Sequence, residues 1–527
     1  MKRYEVLIFA TGAVTLALEL LASRIMTPYF GVSLYIWTGI LAITLVFLAV
    51  GYRFGGKLSQ GTKTGRDLEV ALLAMPIYSA LAIVVAAAVY PALFPQLSQF
   101  NLIVGSFVAA ACLLAVPLIM LSALNPILIG LQRGGADGGD AGAGRIFFIS
   151  TIGSVFGVLL TAFLFIPNLT NYRAILLLGL LLCGMVALFA WRSAITRPGA
   201  KGKLAAGSLA VAVLCAAFLV GKDGYLRLIS SSSIDGQDYK VLAEYTSMFG
   251  NIKVAEVRNR DGSGGVERHF IQDGLIQNRA TPDHQSMSMY THILQSLAQS
   301  YAPKARSAIV FGLGAGIVPR NFSRRGLEVA VVEINPMALL AAREHFGFRA
   351  DGIDVVLEDA RTHARNCRSA YDIGILDLFQ GDSVPDYLLT KEFFADLKGC
   401  LKPDGVLVMN TTFNPDDDEP NFRLMATIAS AFPGLYVSGF LDGNIFIVGR
   451  SVAKEVELKV ADTPIPKEIE SHVRFAVSQS KLVPAEVYRH ARPISDDHNI
   501  FSVLFSDTDM AERSYMVGSL PPAILVN

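Results

Sequence analysis

The stretch Ser307-Ala308-Ile309-Val310-Phe311-Gly312-Leu313-Gly314-Ala315-Gly316 decides the fold of the second half of this chain. Its first part is a short apolar run, which predicts a buried β-strand. Gly312, Gly314 and Gly316 let the backbone turn tightly from a strand into a helix and approach a ligand closely. Such a run can also be a plain strand-to-helix turn, so the residues around it must show whether a ligand binds there.

Strands and helices alternate on the carboxyl side of this stretch, and a helix pattern over Pro336–Phe346 follows the second strand. Strands that alternate with helices predict a parallel, doubly wound sheet, here with an antiparallel pair at its edge. The predicted strands are Glu328–Ile334, Asp354–Leu357, Asp372–Leu376, Gly405–Met409, Leu435–Phe440 and Asn444–Val448.

Three acidic residues end successive predicted strands, at the edge where such a sheet binds ligands. Glu333 follows Gly312 by 21 residues, where an acid accepts both ribose hydroxyls of a nucleoside. Asp359 is placed for an adenine amino group, and Asp377 for the reacting end of the ligand. Each acid also has a structural interpretation, because Glu333 can stabilise a helix N-terminus and the aspartates can cap helices. Their common position after a glycine loop predicts a nucleoside site.

The first half of the chain is much more apolar than the second. The 527 residues are 52% hydrophobic and only 17% charged, and the mean hydropathy is +0.45. A helix needs about 20 apolar residues to cross a membrane. Seven stretches qualify or nearly do so, which predicts a helical transmembrane bundle over residues 1–221. They are Val6–Ile25, Leu34–Tyr52, Leu68–Leu93, Leu102–Leu131, Ile146–Pro167, Ala174–Trp191 and Leu204–Val220.

Basic residues in the short loops predict the orientation of these helices. They lie before the first stretch and after the second, fourth and sixth, whereas the alternate loops contain only Arg173. This asymmetry places the N-terminus in the cytoplasm, so seven crossings would export the second half, whose predicted ligand is cytoplasmic. We expect an even number of crossings and a cytoplasmic second half. Either the 17-residue stretch Leu204–Val220 does not cross, or the fourth stretch, with Pro117 and Asn125-Pro126, breaks and returns.

Charge and cysteine content exclude other classes. A net charge of zero gives no reason to expect a nucleic-acid partner. The five cysteines show neither C-x-x-C nor metal-ligand spacing, so we predict no disulfide framework and no metal site.

The domain boundaries follow from these patterns. Ile252–Arg258 and Arg268–Asp273 flank a glycine-rich loop and predict a small β-hairpin subdomain over residues 222–283. A Rossmann-like, methyltransferase-type α/β domain is expected over 284–450, and a C-terminal extension over 451–527.

Further motifs resemble the spermidine synthase (polyamine aminopropyltransferase) family, in the branch fused to membrane helices. Asp273-Gly274-x-x-Gln277 resembles the donor- and acceptor-site strand of that family, and Tyr290 its active-site tyrosine. The resemblance implies that Glu333 and Asp359 bind ribose and adenine, that Gln277 contacts the donor, and that Asp377 and Tyr290 are catalytic. Other motifs also resemble the fused branch. They are Pro28-x-x-Gly31, Trp37, Ser150-Thr151-x-Gly153-Ser154 and Asp496-Asp497-His498.

Three departures from this family concern groups that bind charged amines. Ala315 stands where the family carries an aspartate, Gln380 where its D-x-x-D motif has the second acid unless Asp382 substitutes, and Thr291-His292 where it has His-Glu. The adenosine-binding half of the pattern is therefore intact, and the polyamine-binding half is altered.

Three functions are open from the sequence. The first is aminopropyl transfer from decarboxylated S-adenosylmethionine to an amine, and the second is methyl transfer from S-adenosylmethionine to a lipid or membrane acceptor. The third is a non-catalytic transporter or sensor whose α/β domain only binds a ligand. The expected partners are a small-molecule or lipid acceptor, the lipid bilayer and a second copy in a homodimer.

Overall fold

The computed structural model describes residues 2–32, 34–60, 65–132, 140–192, 199–229, 233–379, 381, 384–412, 418–441, 444–456, 458–505 and 513–527. The chain folds into two units. Unit 1 comprises Met1–Ser232 and Val517–Asn527, and unit 2 comprises Ser233–Met516.

Unit 1 is helical. Most of its helices are longer than the predicted apolar stretches, because they extend into the polar residues on either side. Among the described residues, seven helical segments are long and apolar enough to cross a membrane. The helices are α1 (Lys2–Phe30), α2 (Leu34–Gln60), α3 (Gly65–Phe100), α4 (Leu102–Ser122), α5 (Leu124–Gln132), α6 (Asp140–Leu160), α7 (Ile166–Asn168), α8 (Asn171–Arg192) and α9 (Ala200–Ile229), with a π-helical turn at Thr161–Phe165 between α6 and α7.

The fourth stretch is interrupted but does not reverse. Its two parts, α4 and α5, are separated by Ala123. A Cβ on Gly55 of α2 would lie 2.3 Å from the Ala123 carbonyl oxygen, and one on Gly130 of α5 would lie 2.6 Å from Ser59 Cβ. Because α5 continues along α2, the fourth stretch is one segment. The seventh is also longer than the sequence suggested, since α9 has 30 residues.

Glycines allow close contact between helix backbones in unit 1. A Cβ on Gly153 of α6 would lie 2.0 Å from the Phe9 carbonyl oxygen of α1, and one on Gly157 would lie 2.1 Å from that of Ala13. Gly51 and Gly55 play the same role between α2 and α4–α5. Gly56 does not, because a Cβ added there would have no atom of the described residues within 4 Å.

Two predicted domain boundaries need correction, the end of the helical bundle and the end of the C-terminal extension. The bundle extends beyond residue 221, because polar residues such as Lys222 and Arg227 continue the α9 helix after the apolar run has ended. The last part of the predicted C-terminal extension belongs to unit 1. There the Tyr172 backbone N–H donates to the Asn527 carbonyl oxygen at 2.7 Å, and the short helix Pro522–Leu525 contacts α3 and α9.

Unit 2 begins with an antiparallel five-stranded sheet, which is larger than the predicted hairpin subdomain. The predicted hairpin is its β3–β4 pair, with Val254 opposite Phe270. The strands are β1 (Ser233–Ile234), β2 (Gln237–Ser247), β3 (Gly250–Asn259), β4 (Glu267–Gln272) and β5 (Leu275–Ala280), in that order.

The predicted α/β sheet is present with eight strands in the order β13-β11-β12-β10-β9-β6-β7-β8. β6 pairs in parallel with both β7 and β9, so the strand order reverses beside β6, where such sheets bind ligands. β11 and β12 form the predicted antiparallel pair. The strands are β6 (Ser307–Phe311), β7 (Glu328–Glu333), β8 (Ile353–Leu357), β9 (Tyr371–Leu376), β10 (Leu401–Thr412), β11 (Gly434–Leu441), β12 (Asn444–Arg450) and β13 (Lys481–Leu482).

Helices cover both faces of this sheet, which is why β6 is apolar from Ala308 to Phe311. Ile309 and Phe311 pack into the core on one face, and Ala308 and Val310 into the core on the other. The helices are α10 (Met289–Tyr301), α11 (Ile317–Arg324), α12 (Pro336–His345), α13 (Ala360–Asn366), α14 (Lys391–Cys400), α15 (Asp418–Ala429), α16 (Lys467–Ser478), α17 (Ala485–Tyr488) and α18 (Phe501–Leu504).

The prediction of no disulfide is wrong in unit 2. Cys367 and Cys400 form a disulfide, with 4.9 Å between their Cα atoms. Cys367 caps the carboxyl end of α13 and Cys400 ends α14. The packing of these two helices brings together cysteines that are 33 residues apart, a proximity that local spacing does not reveal.

Candidate active site

A cleft opens at the carboxyl ends of β6, β7, β8 and β9. The space between its walls, counted out to the open mouth, is about 860 Å³. Its lining includes the predicted residues Gln277, Tyr290, Gly312, Gly314, Glu333, Asp359 and Asp377. Gly316 is outside this lining, because it begins α11 and a Cβ there would lie 2.6 Å from Phe348 Cδ2.

The glycine loop is required by the close approach of other backbone and side-chain atoms. Gly312 and Gly314 have φ angles of +94° and +51°, which L-residues with a Cβ rarely adopt. A Cβ on Gly312 would lie 2.1 Å from the Asp377 carbonyl oxygen, and one on Gly314 would lie 2.7 Å from Asn278 Oδ1. The loop therefore brings the end of β9 and the strand β5 against the cleft.

Glu333 is held by the backbone at the end of β7. Its Oε2 accepts a hydrogen bond from the Leu313 N–H at 2.9 Å, and its Oε1 accepts one from the Asn335 N–H at 2.7 Å. Burial raises the pKa of this carboxyl group, and the backbone hydrogen bonds oppose that rise. Each carboxylate oxygen has a further lone pair, so a fixed Glu333 can still accept the two ribose hydroxyls.

Asp359 has a structural role as well as a place in the cleft. Its Oδ1 accepts from the Thr362 N–H at 2.9 Å and caps α13, as the alternative interpretation of the sequence predicts. Its Oδ2 accepts from the Tyr387 hydroxyl at 2.7 Å. Burial raises the pKa of Asp359, but the hydrogen bonds from Tyr387 and Thr362 outweigh it and hold the pKa below its ordinary value. Tyr387 itself lines the cleft and has no motif in the sequence.

Asp377 is held by side chains. Its Oδ1 accepts from Asn410 Nδ2 at 3.1 Å, and it is hydrogen-bonded to the Tyr290 hydroxyl. Burial raises the pKa of Asp377 to about 6, against the opposing effect of these two hydrogen bonds. At neutral pH the carboxylate therefore remains charged, with a pKa close to the value that favours proton transfer. Burial also raises the pKa of Tyr290 well above its ordinary value, and the neighbouring Asp377 raises it further.

Asn278 connects this pair to the glycine loop and was missed from the sequence. Its Oδ1 accepts from the Ala315 N–H at 2.9 Å, and its Nδ2 donates to the Tyr290 hydroxyl oxygen at 2.6 Å. Because Tyr290 accepts from Asn278, its own hydroxyl hydrogen is directed to Asp377. The position of Asn278 next to Gln277, which belongs to the sequence motif, was the one signal that could have revealed it.

Of the positions that depart from the family pattern, Ala315, Thr291 and His292 are described by the structure, and none of the three lines the cleft. Ala315 is buried in a core cluster that includes Ile317 and Ala338. Thr291 and His292 hydrogen-bond to the carbonyl oxygens of Ser288 and Ser286. Gln277 lines the cleft and donates through Nε2 to the Gly381 carbonyl oxygen at 3.0 Å. Gln380 and Asp382 lie outside the described residues.

Residues 287–418, which include Tyr290, Glu333, Asp359 and Asp377, match the family described as Spermine/spermidine synthase domain. Unit 2 thus contains a spermidine synthase domain. Gln277 and Asn278 lie before the matched part of this domain.

Three curated relatives resemble the spermidine synthase domain over part of their length. Polyamine aminopropyltransferase 2 of Hyperthermus butylicus is 27% identical over 198 residues, which are 33% of this chain and 63% of that protein. Polyamine aminopropyltransferase of Vibrio vulnificus is 33% identical over 117 residues, 21% of this chain and 39% of that protein. N-terminal histidine N-methyltransferase of Emericella nidulans is 33% identical over 114 residues, 21% of this chain and 20% of that protein. The chain thus spans less than two thirds of each relative.

Proposed function

We propose that unit 2 transfers a group from an S-adenosyl sulfonium donor to an amine, and that the group is aminopropyl from decarboxylated S-adenosylmethionine. The observation that carries the proposal is the arrangement of the acids in one cleft. Glu333 and Asp359 lie at the carboxyl ends of the neighbouring strands β7 and β8 and form one end, where they can hold the ribose and adenine. Asp377, with Tyr290, follows β9 on the other side of β6 and forms the other end. The family match and the two aminopropyltransferase relatives support the same reaction class.

The reaction needs no covalent intermediate with the protein. The amine nitrogen forms a bond to the carbon next to the sulfonium, the sulfur–carbon bond breaks, and its electron pair stays on sulfur in methylthioadenosine. The amine then loses a proton, for which the Asp377 carboxylate is the nearby acceptor. The protein contributes orientation of the two reactants and this proton acceptor.

Methyl transfer is the second candidate. It is supported by the match to a histidine N-methyltransferase and by Ala315, which leaves no carboxylate at that position to bind an aminopropyl ammonium group. With S-adenosylmethionine as the donor, S-adenosylhomocysteine would leave in place of methylthioadenosine.

Two measurements separate these candidates. Mass spectrometry of the protein purified in mild detergent should detect a bound adenosyl compound, and its mass identifies the donor. The purified protein is then incubated with each donor and a set of amines, and the released nucleoside is quantified. The expected result is release of methylthioadenosine, at a rate that Asp377→Asn lowers by ~10²–10⁴. Release of S-adenosylhomocysteine alone would assign methyl transfer, and release of neither would favour a binding module.

We also propose that the protein is a multi-pass membrane protein whose unit 2 lies in the cytoplasm, where S-adenosyl donors are made. Two features oppose this placement. The loop charges place the N-terminus inside while seven segments can cross, and disulfides such as Cys367–Cys400 persist mainly in oxidising compartments.

Sidedness can be measured with two cysteines that are introduced one at a time into a Cys112→Ala background. The other native cysteines are either buried, as Cys183 and Cys215 are, or joined in the Cys367–Cys400 disulfide. Ser263→Cys lies in an exposed loop of unit 2. Gly144→Cys has open space around it and lies near the N-terminus, because its neighbour Arg145 pairs with Glu5 at 2.9 Å. With seven crossings we expect a membrane-impermeant maleimide to label the two from opposite sides, and Ser263→Cys only after permeabilisation. Labelling of Ser263→Cys in intact cells would remove most of the support for an S-adenosyl donor.

A further inference from the structure

A second cavity in unit 2 lies between the turn that follows β5, the first half of α10 and the second half of α11. The space between its walls, counted out to the open mouth, is about 930 Å³. It shares no lining residue with the candidate active site. The residues that matter for its chemistry are Asp283, His284, His292, Gln295, Arg320 and Arg324.

The charge of this lining is positive. Arg320, Arg324 and Arg325 face a single carboxylate, that of Asp283, among the described residues that line the cavity. Burial lowers the pKa of Arg320 to about 10, and the neighbouring Arg324 contributes to that shift. Arg320 therefore remains a cation at neutral pH although its side chain is buried.

Several buried nitrogen atoms of the lining have no hydrogen-bond partner in the described part of the chain. They are Arg320 Nε, Gln295 Nε2 and His284 Nδ1. Arg320 is 6% exposed and Gln295 is 4% exposed. Arg320 Nε and Gln295 Nε2 are always donors, and a buried donor without a partner is destabilising. Their place in the lining of one cavity therefore indicates that a ligand satisfies them.

A purely structural role accounts for only some of the hydrogen-bond donors of Arg320. Its Nη1 donates to the Phe346 carbonyl oxygen at 2.6 Å, and its Nη2 donates to the His284 carbonyl oxygen. These bonds connect the residue after α12 to the turn after β5. They leave Nε free, and they do not account for the amide nitrogen of Gln295, whose Oε1 accepts from Asn321 at 3.1 Å.

We propose that this cavity binds an oxyanion of the phosphate class. Guanidinium groups bind phosphate through charge-assisted hydrogen bonds, and Gln295 supplies a neutral donor. Burial lowers the pKa of His292, and its Nε2 donates to the Ser286 carbonyl oxygen at 3.0 Å, so this side chain keeps the turn in place. The ligand is a phosphate group, carried either by a soluble molecule or by a lipid headgroup.

Calorimetric titration of the full chain in detergent with inorganic phosphate tests the proposal. We expect saturable binding that Arg324→Gln weakens about 10-fold or more, the scale for losing one charge-assisted hydrogen bond. Gln295→Leu should weaken it about three- to tenfold. Arg343→Gln, an exposed arginine of α12 outside the lining, is the matched control and should leave phosphate affinity unchanged.

Short-chain phosphatidic acid and glycerol 3-phosphate distinguish the two sources of the phosphate. If a lipid is the ligand, the former should bind at least about 10-fold more tightly, on the scale of burying two CH₂ groups; if the ligand is soluble, the two should bind alike. Absence of saturable phosphate binding would overturn the proposal. So would equal affinities in the parent, Arg324→Gln and Gln295→Leu, once thermal unfolding shows that the variants are folded.

Discussion

The two ends of the active-site cleft are built in different ways. At the nucleoside end, Glu333 and Asp359 accept hydrogen bonds from backbone N–H groups. At the reaction end, Asp377 is held by the side chains of Asn410 and Tyr290. Burial raises the pKa of Asp377 to about 6, whereas backbone and side-chain hydrogen bonds hold that of Asp359 below its ordinary value despite burial.

Under the proposed function, this difference separates nucleoside binding from the transfer reaction. Backbone donors fix an acceptor wherever the fold forms, so the position of Glu333 and of one oxygen of Asp359 depends little on other side chains. Side-chain partners leave the reaction end dependent on a few residues, which can change without loss of the fold. The three departures from the family pattern all concern the amine-binding groups, which agrees with this division.

Removal of the Asp377 charge at the reaction end should have the greatest effect on turnover. Asp377→Asn keeps the shape of the side chain but removes the proton acceptor, so we expect turnover to fall by ~10²–10⁴ with little change in nucleoside affinity. Steady-state rates and calorimetry measure the two effects. Asp372→Asn, at the amino end of the same strand, is the control. Asp372 pairs with Lys402 at 2.9 Å, so its loss should lower thermal stability and leave turnover intact. Near-normal turnover in Asp377→Asn would exclude its catalytic role.

The next test concerns the nucleoside end. Glu333→Ala removes the acceptor for two ribose hydroxyls and should weaken nucleoside binding by ~2–4 kcal/mol, which is about 30- to 1000-fold. Glu328→Ala changes an exposed glutamate at the other end of β7 and should leave affinity unchanged. Equal calorimetric affinities for the parent and Glu333→Ala would remove this residue from the site.

The pH profile sharpens the assignment of the proton acceptor. Because protonated Asp377 cannot take the proton of the amine, kcat/KM should fall as pH drops below the Asp377 pKa of about 6, by about tenfold per pH unit. This acid limb must be absent from the residual activity of Asp377→Asn. An acid limb that persists in that variant would assign it to another group.

The smallest expected effect is at Asn410. The Asn410 hydrogen bond lowers the Asp377 pKa, so Asn410→Leu should move the acid limb to higher pH. We expect a loss of about three- to tenfold near pH 6 and little loss at pH 8. Thr411→Val, one residue along β10, controls for the change in the strand. A loss that is uniform across pH would indicate a structural effect only.

Local patterns were sufficient for the elements and for the acids at the strand ends. The apolar run Ser307–Phe311 became β6 and the stretch Pro336–Phe346 became α12 within a residue or so, because burial on both sheet faces demands continuous apolar residues. Glu333, Asp359 and Asp377 line one cleft because the carboxyl ends of parallel strands share an edge. The seven apolar stretches are equally local, since length and hydropathy define them.

Only the tertiary structure shows which side chains are hydrogen-bond partners in the cleft. Asn410 reaches Asp377 across 33 residues and Asn278 reaches Ala315 across 37, and no periodicity predicts such partners. The same holds for the Cys367–Cys400 disulfide, for the unpartnered nitrogens around Arg320, and for the packing of Val517–Asn527 with unit 1. Hydropathy and turn chemistry act over a few residues, so the sequence predicted the main strands of the α/β sheet and the acids at their ends, but only two of the five strands of the antiparallel sheet. The partners of those acids depend on long-range packing, which only the folded chain establishes.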